Sequence, residues 1–291
     1  MTDSSQSAMP PAKGSAVKGT AFSILGAISV SHLLNDMIQS LILAIYPILQ
    51  ADFHLSFVQI GMITLTYQLT ASLLQPLIGY YTDKHPQPYS LPIGMGFTLS
   101  GLLLLSVAST FPLVLLAAAL VGTGSSVFHP ESSRVARMAS GGRHGLAQSL
   151  FQVGGNFGSS LGPLLAALII APYGKGNVAW FSLAALLAIV VLLQVSKWYQ
   201  HQHRATKGQP KSPSLLKPLP KRTVAYSLGI LLVLIFSKYF YLASISSYYT
   251  FYLIHKFGVS VQNAQNSPVR FPVRGSGWHH YRRASWRQDR T

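Results

Sequence analysis

Residues 24–47 read ILGAISVSHLLNDMIQSLILAIYP, an apolar run that nonetheless carries His32, Asn35, Asp36 and Gln39. A helix needs about 20 residues to cross the hydrocarbon of a bilayer, so the run predicts a membrane span. An ionised carboxylate near the bilayer midplane costs roughly 2.5 to 3.5 kcal/mol on insertion scales, which obliges Asp36 to face a protein interior or a water-filled cavity. On a helix His32 and Asp36 are four apart and Asn35 is three from His32, so they share one face. That face reads as a translocation path. Its other reading is as glue between helices, where an interhelical hydrogen bond contributes about 1 kcal/mol or less.

Composition extends the membrane reading to the whole chain. Charged residues make up 10% of the 291 and hydrophobic ones 49%, whereas a soluble domain is about 25% charged. Cysteine is absent, which excludes a disulfide framework and a thiolate metal site. No metal site and no cofactor is expected. A formal charge of +16 would suit a nucleic-acid binder, but the basic residues gather in short connections between apolar runs, where membrane topology puts them. The partner expected is therefore the lipid bilayer and not nucleic acid.

Hydropathy predicts seven spans, near residues 21–49, 56–80, 91–109, 111–128, 146–171, 178–195 and 224–254. Lys13 and Lys18 precede the first, Lys84 follows the second, Arg134, Arg137 and Arg143 follow the fourth, and seven Lys or Arg lie between Lys197 and Arg222. The alternate connections carry almost none, so the positive-inside rule places the amino terminus in the cytoplasm. The expected organisation is a disordered cytoplasmic leader (1–20), an N-terminal six-helix transmembrane bundle (21–196), a basic, proline-bearing cytoplasmic linker (197–222) and the start of a second bundle (223–265). The fold class is all-α integral membrane protein: one six-helix bundle plus the first helix of another.

Several motifs fall into place on this frame. Gly79-Tyr80-Tyr81-Thr82-Asp83-Lys84 joins spans two and three. Gly79 permits a close helix crossing, Asp83 is expected near the amino terminus of the next helix, where it favours the dipole, and Lys84 adds a cytoplasmic charge. In span five Gly154, Gly158 and Gly162 recur every four residues and Pro163 follows. The stripe lets a second helix approach closely, within the chain or in a dimer, and the Gly-Pro pair adds a hinge. His129, Glu131 and Arg134 lie where span four meets the cytoplasmic side, with Pro130 expected to open a new helical turn. Glu131 and Arg134 are three apart and able to pair, as a structural ion pair or as a relay. Lys238, Tyr239 and Tyr241 in span seven form a cationic, aromatic setting for an anion such as a phosphonate; snorkelling of the lysine, or pairing with Asp36, is the alternative.

Together, the six-plus-linker layout, the G-x-x-x-D-K loop, the G-x-x-x-G-P stripe and the run Gly122-Thr123-Gly124 to Arg134 resemble the major facilitator superfamily. The resemblance implies two six-helix halves rocking about a central cavity, with proton-coupled antiport of a small drug across the bacterial inner membrane. It assigns Gly79, Asp83 and Lys84 to the family's loop motif, and Gly158, Gly162 and Pro163 to its antiporter motif. His85-Pro86 replaces the loop motif's usual end. The basic residue that many proton-coupled members carry in span four is replaced by Ala118, which leaves His129, Glu131 and Arg134 as substitutes.

Beyond residue 265 the apolar periodicity stops, and 266–291 reads as an out-of-frame, disordered basic tail. Permitted codons for Asn266 onward, read one nucleotide later, give an apolar span ending in G-P-V-G-D-K-I-G-R, a fuller copy of the loop motif. On that reading the product is incomplete and inactive alone. Two other classes stay open. One is a half-transporter or non-transporting interaction protein that pairs with a partner through the glycine stripe. The other, a membrane enzyme using His129 and Glu131, lacks an accompanying nucleophile, metal-ligand cluster or phosphate loop, so no enzyme is expected.

Overall fold

The breaks in the first apolar run are set by local chemistry. The computed structural model describes residues 19–206 and 220–257, the last part of it (242–255) by backbone alone. Helix α1 spans Phe22–Ala44, and a turn at Ile45 starts a second short helix, α2 (Tyr46–Phe53), with Pro47 in its first turn, where a missing N–H costs nothing. His54 closes α2 in the left-handed conformation at φ 52°. The single span expected over 21–49 is thus two helices. Ser56 then caps α3 (Phe57–Lys84): its hydroxyl accepts from the Gln59 amide at 3.2 Å, and the Gln59 side chain accepts from the Ser56 amide at 2.8 Å.

Helix α4 (Ser90–Val107) and α5 (Phe111–Ala139) follow. The turn into α6 (His144–Tyr173) passes through Gly141 and Gly142 at φ 57° and 88°, a conformation that a Cβ would strain. A 3-10 turn (Lys175–Trp180) leads into α7 (Phe181–Thr206). These helices form one unit; α8 (Lys221–Phe257) belongs to a second. Among the described residues every element is helical, and seven helices are long and apolar enough to cross a membrane. The chain is a multi-pass membrane protein. Large apolar side chains such as Phe57, Leu77, Leu116 and Leu186 stand exposed on the first unit, as a lipid-facing surface requires.

Packing within the first unit pairs α1 with α6 and α4 with α5, while α5 also touches α1, α3 and α6. Small residues make these approaches possible. A Cβ on Gly122 would strike Thr70 and the Tyr67 carbonyl of α3, and one on Gly124 would strike Thr98 and the Gly94 carbonyl of α4. Membrane helices gain little from burying apolar surface, so close contact of this kind supplies much of their attraction.

Three expectations change here. Helix α5 runs eleven residues beyond the predicted end at 128, so Pro130 lies inside it instead of opening a new turn. The helix continues through the proline, whose missing N–H leaves the Ser126 carbonyl without its helical partner; in the next turn the Ser132 hydroxyl donates to the Phe128 and His129 carbonyls, at 2.5 and 3.3 Å. Asp83 sits in the last turn of α3, and not at the start of α4, which begins at Ser90. Lys197 and Arg204 belong to the continuous helix α7. Residues 1–18 of the leader expected over 1–20, residues 207–219, the end of the expected second-bundle start (258–265) and the tail read as out of frame (266–291) lie outside the described residues.

Candidate functional site

The polar face of α1 turns inward. His32 is buried, and its Nδ1 lies 2.8 Å from the Phe151 carbonyl of α6 while the two rings stack at 3.9 Å between centroids. One turn on, Asp36 Oδ2 lies 3.2 Å from His32 Nε2, and the Asn35 amide donates to Oδ1 at 3.0 Å. From α5, His129 Nε2 reaches to 3.9 Å of the same Oδ1. Three side chains from two helices thus converge on one carboxylate. The ligand atoms of His32, Asp36 and His129 all lie within 4.8 Å of one another, a cluster that sequence spacing did not reveal because His129 is 93 positions from Asp36.

This carboxylate opens on a cleft of about 300 Å³ lined by Gln39, Tyr67, Ser125, His129 and Ser159. Asp36 keeps 17% of its side chain exposed there and His129 keeps 28%. The Tyr67 hydroxyl donates to Gln39 Oε1. Asn35 Oδ1 and Gln39 Nε2 are buried with no hydrogen-bond partner among the described residues, which leaves an acceptor and a donor beside the carboxylate.

The glycines of α6 explain how α1 comes so near. Added Cβ atoms on Gly154, Gly158 and Gly162 would overlap Ser29, Leu33 and Ser40 of α1. The stripe is therefore covered within the chain and is not a free dimerisation groove. Sequence reasoning missed their neighbour Gly155, where a Cβ would meet the His32 ring and would lie 2.8 Å from Asp36 Oδ2. It also missed Phe151, one turn before Gly155 on the same helix. Pro163 lies in the last turn before a π-helical stretch (Ala166–Ile170), the kind of local irregularity that accompanies a bend.

A second cluster joins α3 to α5. Arg134 Nη1 donates to the Thr82 carbonyl at 2.8 Å and lies 2.9 Å from Glu131 Oε1; its Nη2 donates to Thr82 Oγ1 at 3.1 Å and to Asp83. Glu131 is fully buried, so this cation is its compensation. Asp83, unfavourable at a helix carboxyl end, is offset by the same guanidinium. Lys84 turns onto the Tyr80 ring at 4.0 Å. A Cβ on Gly79 would meet Pro130 at 3.7 Å, an ordinary contact, so the crossing there does not need glycine. Lys238, Tyr239 and Tyr241 stand on α8 in the second unit, with the Lys238 ammonium 5.5 Å from the Tyr239 ring centroid.

Residues 28–273 match the Major Facilitator Superfamily. The chain belongs to that family. Within the superfamily it is similar to the fosmidomycin resistance protein of Escherichia coli K12, with 77% identity over 246 residues, 84% of this chain and 60% of that protein. It is also similar to the uncharacterized MFS-type transporter YfnC of Bacillus subtilis 168, with 41% identity over 249 residues, 85% of this chain and 61% of that one. The chain thus spans about three fifths of the length of these curated relatives. A crystal structure of tetrameric PepTSo2 superposes with a TM-score of 0.52 at 14% identity, over 87% of this chain and 58% of that one, a likeness of fold alone.

Proposed function

We propose that this bundle is the N-terminal half of a proton-coupled antiporter that exports a small drug across the bacterial inner membrane, with its amino terminus in the cytoplasm. The observation that carries the reading is the pairing of Asp36 with His32 at 3.2 Å beside an open cleft. A carboxylate and an imidazole in contact offer a place where a proton can be held and released, and a bundle cavity is where a rocking transporter meets its substrate. The name of the Escherichia coli relative points to fosmidomycin, an anionic phosphonate, as the first substrate to try. Lys238, with Tyr239 and Tyr241, is the cationic and aromatic group proposed to receive such an anion.

The distribution of Lys and Arg among the connections supports the orientation. Since the chain spans 60% of that relative, transport is proposed for the whole two-bundle protein. The 291 residues expressed alone are expected to give little or no efflux. The test is accumulation of fosmidomycin in cells expressing a complete transporter that carries this bundle. Collapse of the proton gradient, or Asp36→Asn, is expected to raise accumulation to the empty-vector level. Efflux that survives both treatments would overturn proton coupling through Asp36.

A further inference from the structure

We infer that His32, Asp36 and His129 form a binding site for a divalent transition cation of the zinc class. The Phe151 carbonyl, 2.8 Å from His32 Nδ1, only accepts hydrogen bonds, so Nδ1 carries the hydrogen. In the neutral ring the lone pair is then on Nε2, which faces Asp36 Oδ2 at 3.2 Å. Two acceptors in contact call for a positive charge between them. A proton on Nε2 meets that need in one state of the molecule, and a metal ion meets it in another.

The spacing suits a metal. Zinc bound to nitrogen and oxygen at about 2.0 to 2.1 Å in a tetrahedron holds its ligand atoms about 3.3 to 3.4 Å apart. The observed separations are 3.2 Å from His32 Nε2 to Asp36 Oδ2 and 3.9 Å from His129 Nε2 to the other oxygen, Oδ1, and with one ligand atom from each residue the set falls within 4.8 Å, so the rings need to close in by about 1 Å on an ion. His32 is held as metal-binding histidines are, with the far ring nitrogen bonded to a backbone carbonyl and the ring fixed by stacking on Phe151. Two imidazoles and one carboxylate favour zinc, nickel or copper over magnesium or calcium, which prefer all-oxygen ligands. Asp36 and His129 both reach the cleft, so the ion has an entry path and water is at hand for the fourth position.

The inference concerns binding and does not require transport, so its test is made on the purified 291-residue chain in detergent with Co²⁺ as the probe. The expected result is a saturable, strong ligand-field absorption at one Co²⁺ per chain, displaced by Zn²⁺. Asp36→Asn and His129→Gln should each weaken binding by about tenfold or more. Replacing His201 and His203 on α7, or His279 and His280, with Gln should leave the band in place. Circular dichroism and elution volume report whether each variant is folded, and His129→Gln, the more exposed position, decides if Asp36→Asn is not. Absence of saturable binding, or a band that survives His129→Gln, would overturn the site. Cation binding by this chain with no efflux by the complete transporter that carries the bundle would keep this site and overturn the transport reading; efflux by that transporter without cation binding here would do the reverse.

Discussion

Asp36 and Glu131 are both carboxylates inside the same bundle, and the groups that hold them decide what each is able to do. Asp36 meets two imidazoles, His32 and His129, rings that donate or accept according to where their proton sits. Glu131 meets the guanidinium of Arg134, which stays charged at any pH a cell experiences. The first cluster opens on a cleft, whereas Glu131 has no exposed surface at all. One region therefore pairs its acid with rings that exist neutral or charged and faces a cleft; the other pairs its acid with a permanent cation and ties α5 to the end of α3. Placing an acid in a membrane bundle does not by itself make it a coupling residue, because the partner sets the role.

The largest expected effect comes from breaking the fixed cluster. Arg134→Met leaves Glu131 buried and unpaired, a loss of about 3 to 5 kcal/mol. Chemical unfolding of the purified chain in detergent is the measurement, and adding Glu131→Gln should recover most of the loss. If Arg134→Met unfolds like the parent, the cluster is not the fastening described above.

Asp36→Asn should act in the opposite sense. It removes a partly solvated charge whose amide replacement still hydrogen-bonds, so stability should change by about 1 kcal/mol or less. Acid-induced infrared difference spectra of the parent chain should contain a carboxyl band that this variant lacks. A large fall in stability would erase the contrast between the two clusters. The smallest effect is expected at Gly79→Ala, within about 0.5 kcal/mol, because Pro130 leaves room for a methyl group. A marked loss there would show that the α3 and α5 crossing is tighter than 3.7 Å implies.

Much of the architecture was legible in the chain. Six helices of the first unit and α8 follow from apolar runs punctuated by Pro, Gly and charge, and the i, i+4 spacing of His32 and Asp36 placed them on one face. What spacing along one helix could not supply was the partner on another. Glu131 and Arg134 were readable as a pair, but the tie to Thr82 and Asp83 spans 52 and 51 positions of sequence. Asp83 was misplaced because the loop motif fixes its neighbours and not the end of the helix it closes. The length of α5 was underestimated because Pro130 reads locally as a break, while the contacts of α5 with α1, α3, α4 and α6 hold the helix together across it.

By itself the sequence determined that the chain crosses a membrane, how many times its described helices do so, and which few polar groups stand on those helices. These are one-dimensional properties: run length, period and charge count settle them. Only the tertiary structure decided which of those groups meet. The approach of α6 to α1 across Gly154, Gly155 and Gly158, and of α5 to both, brings His129 and Phe151 to the His32 and Asp36 pair. Electrostatic and hydrogen-bond energies depend on separation in space, and helix packing sets that separation.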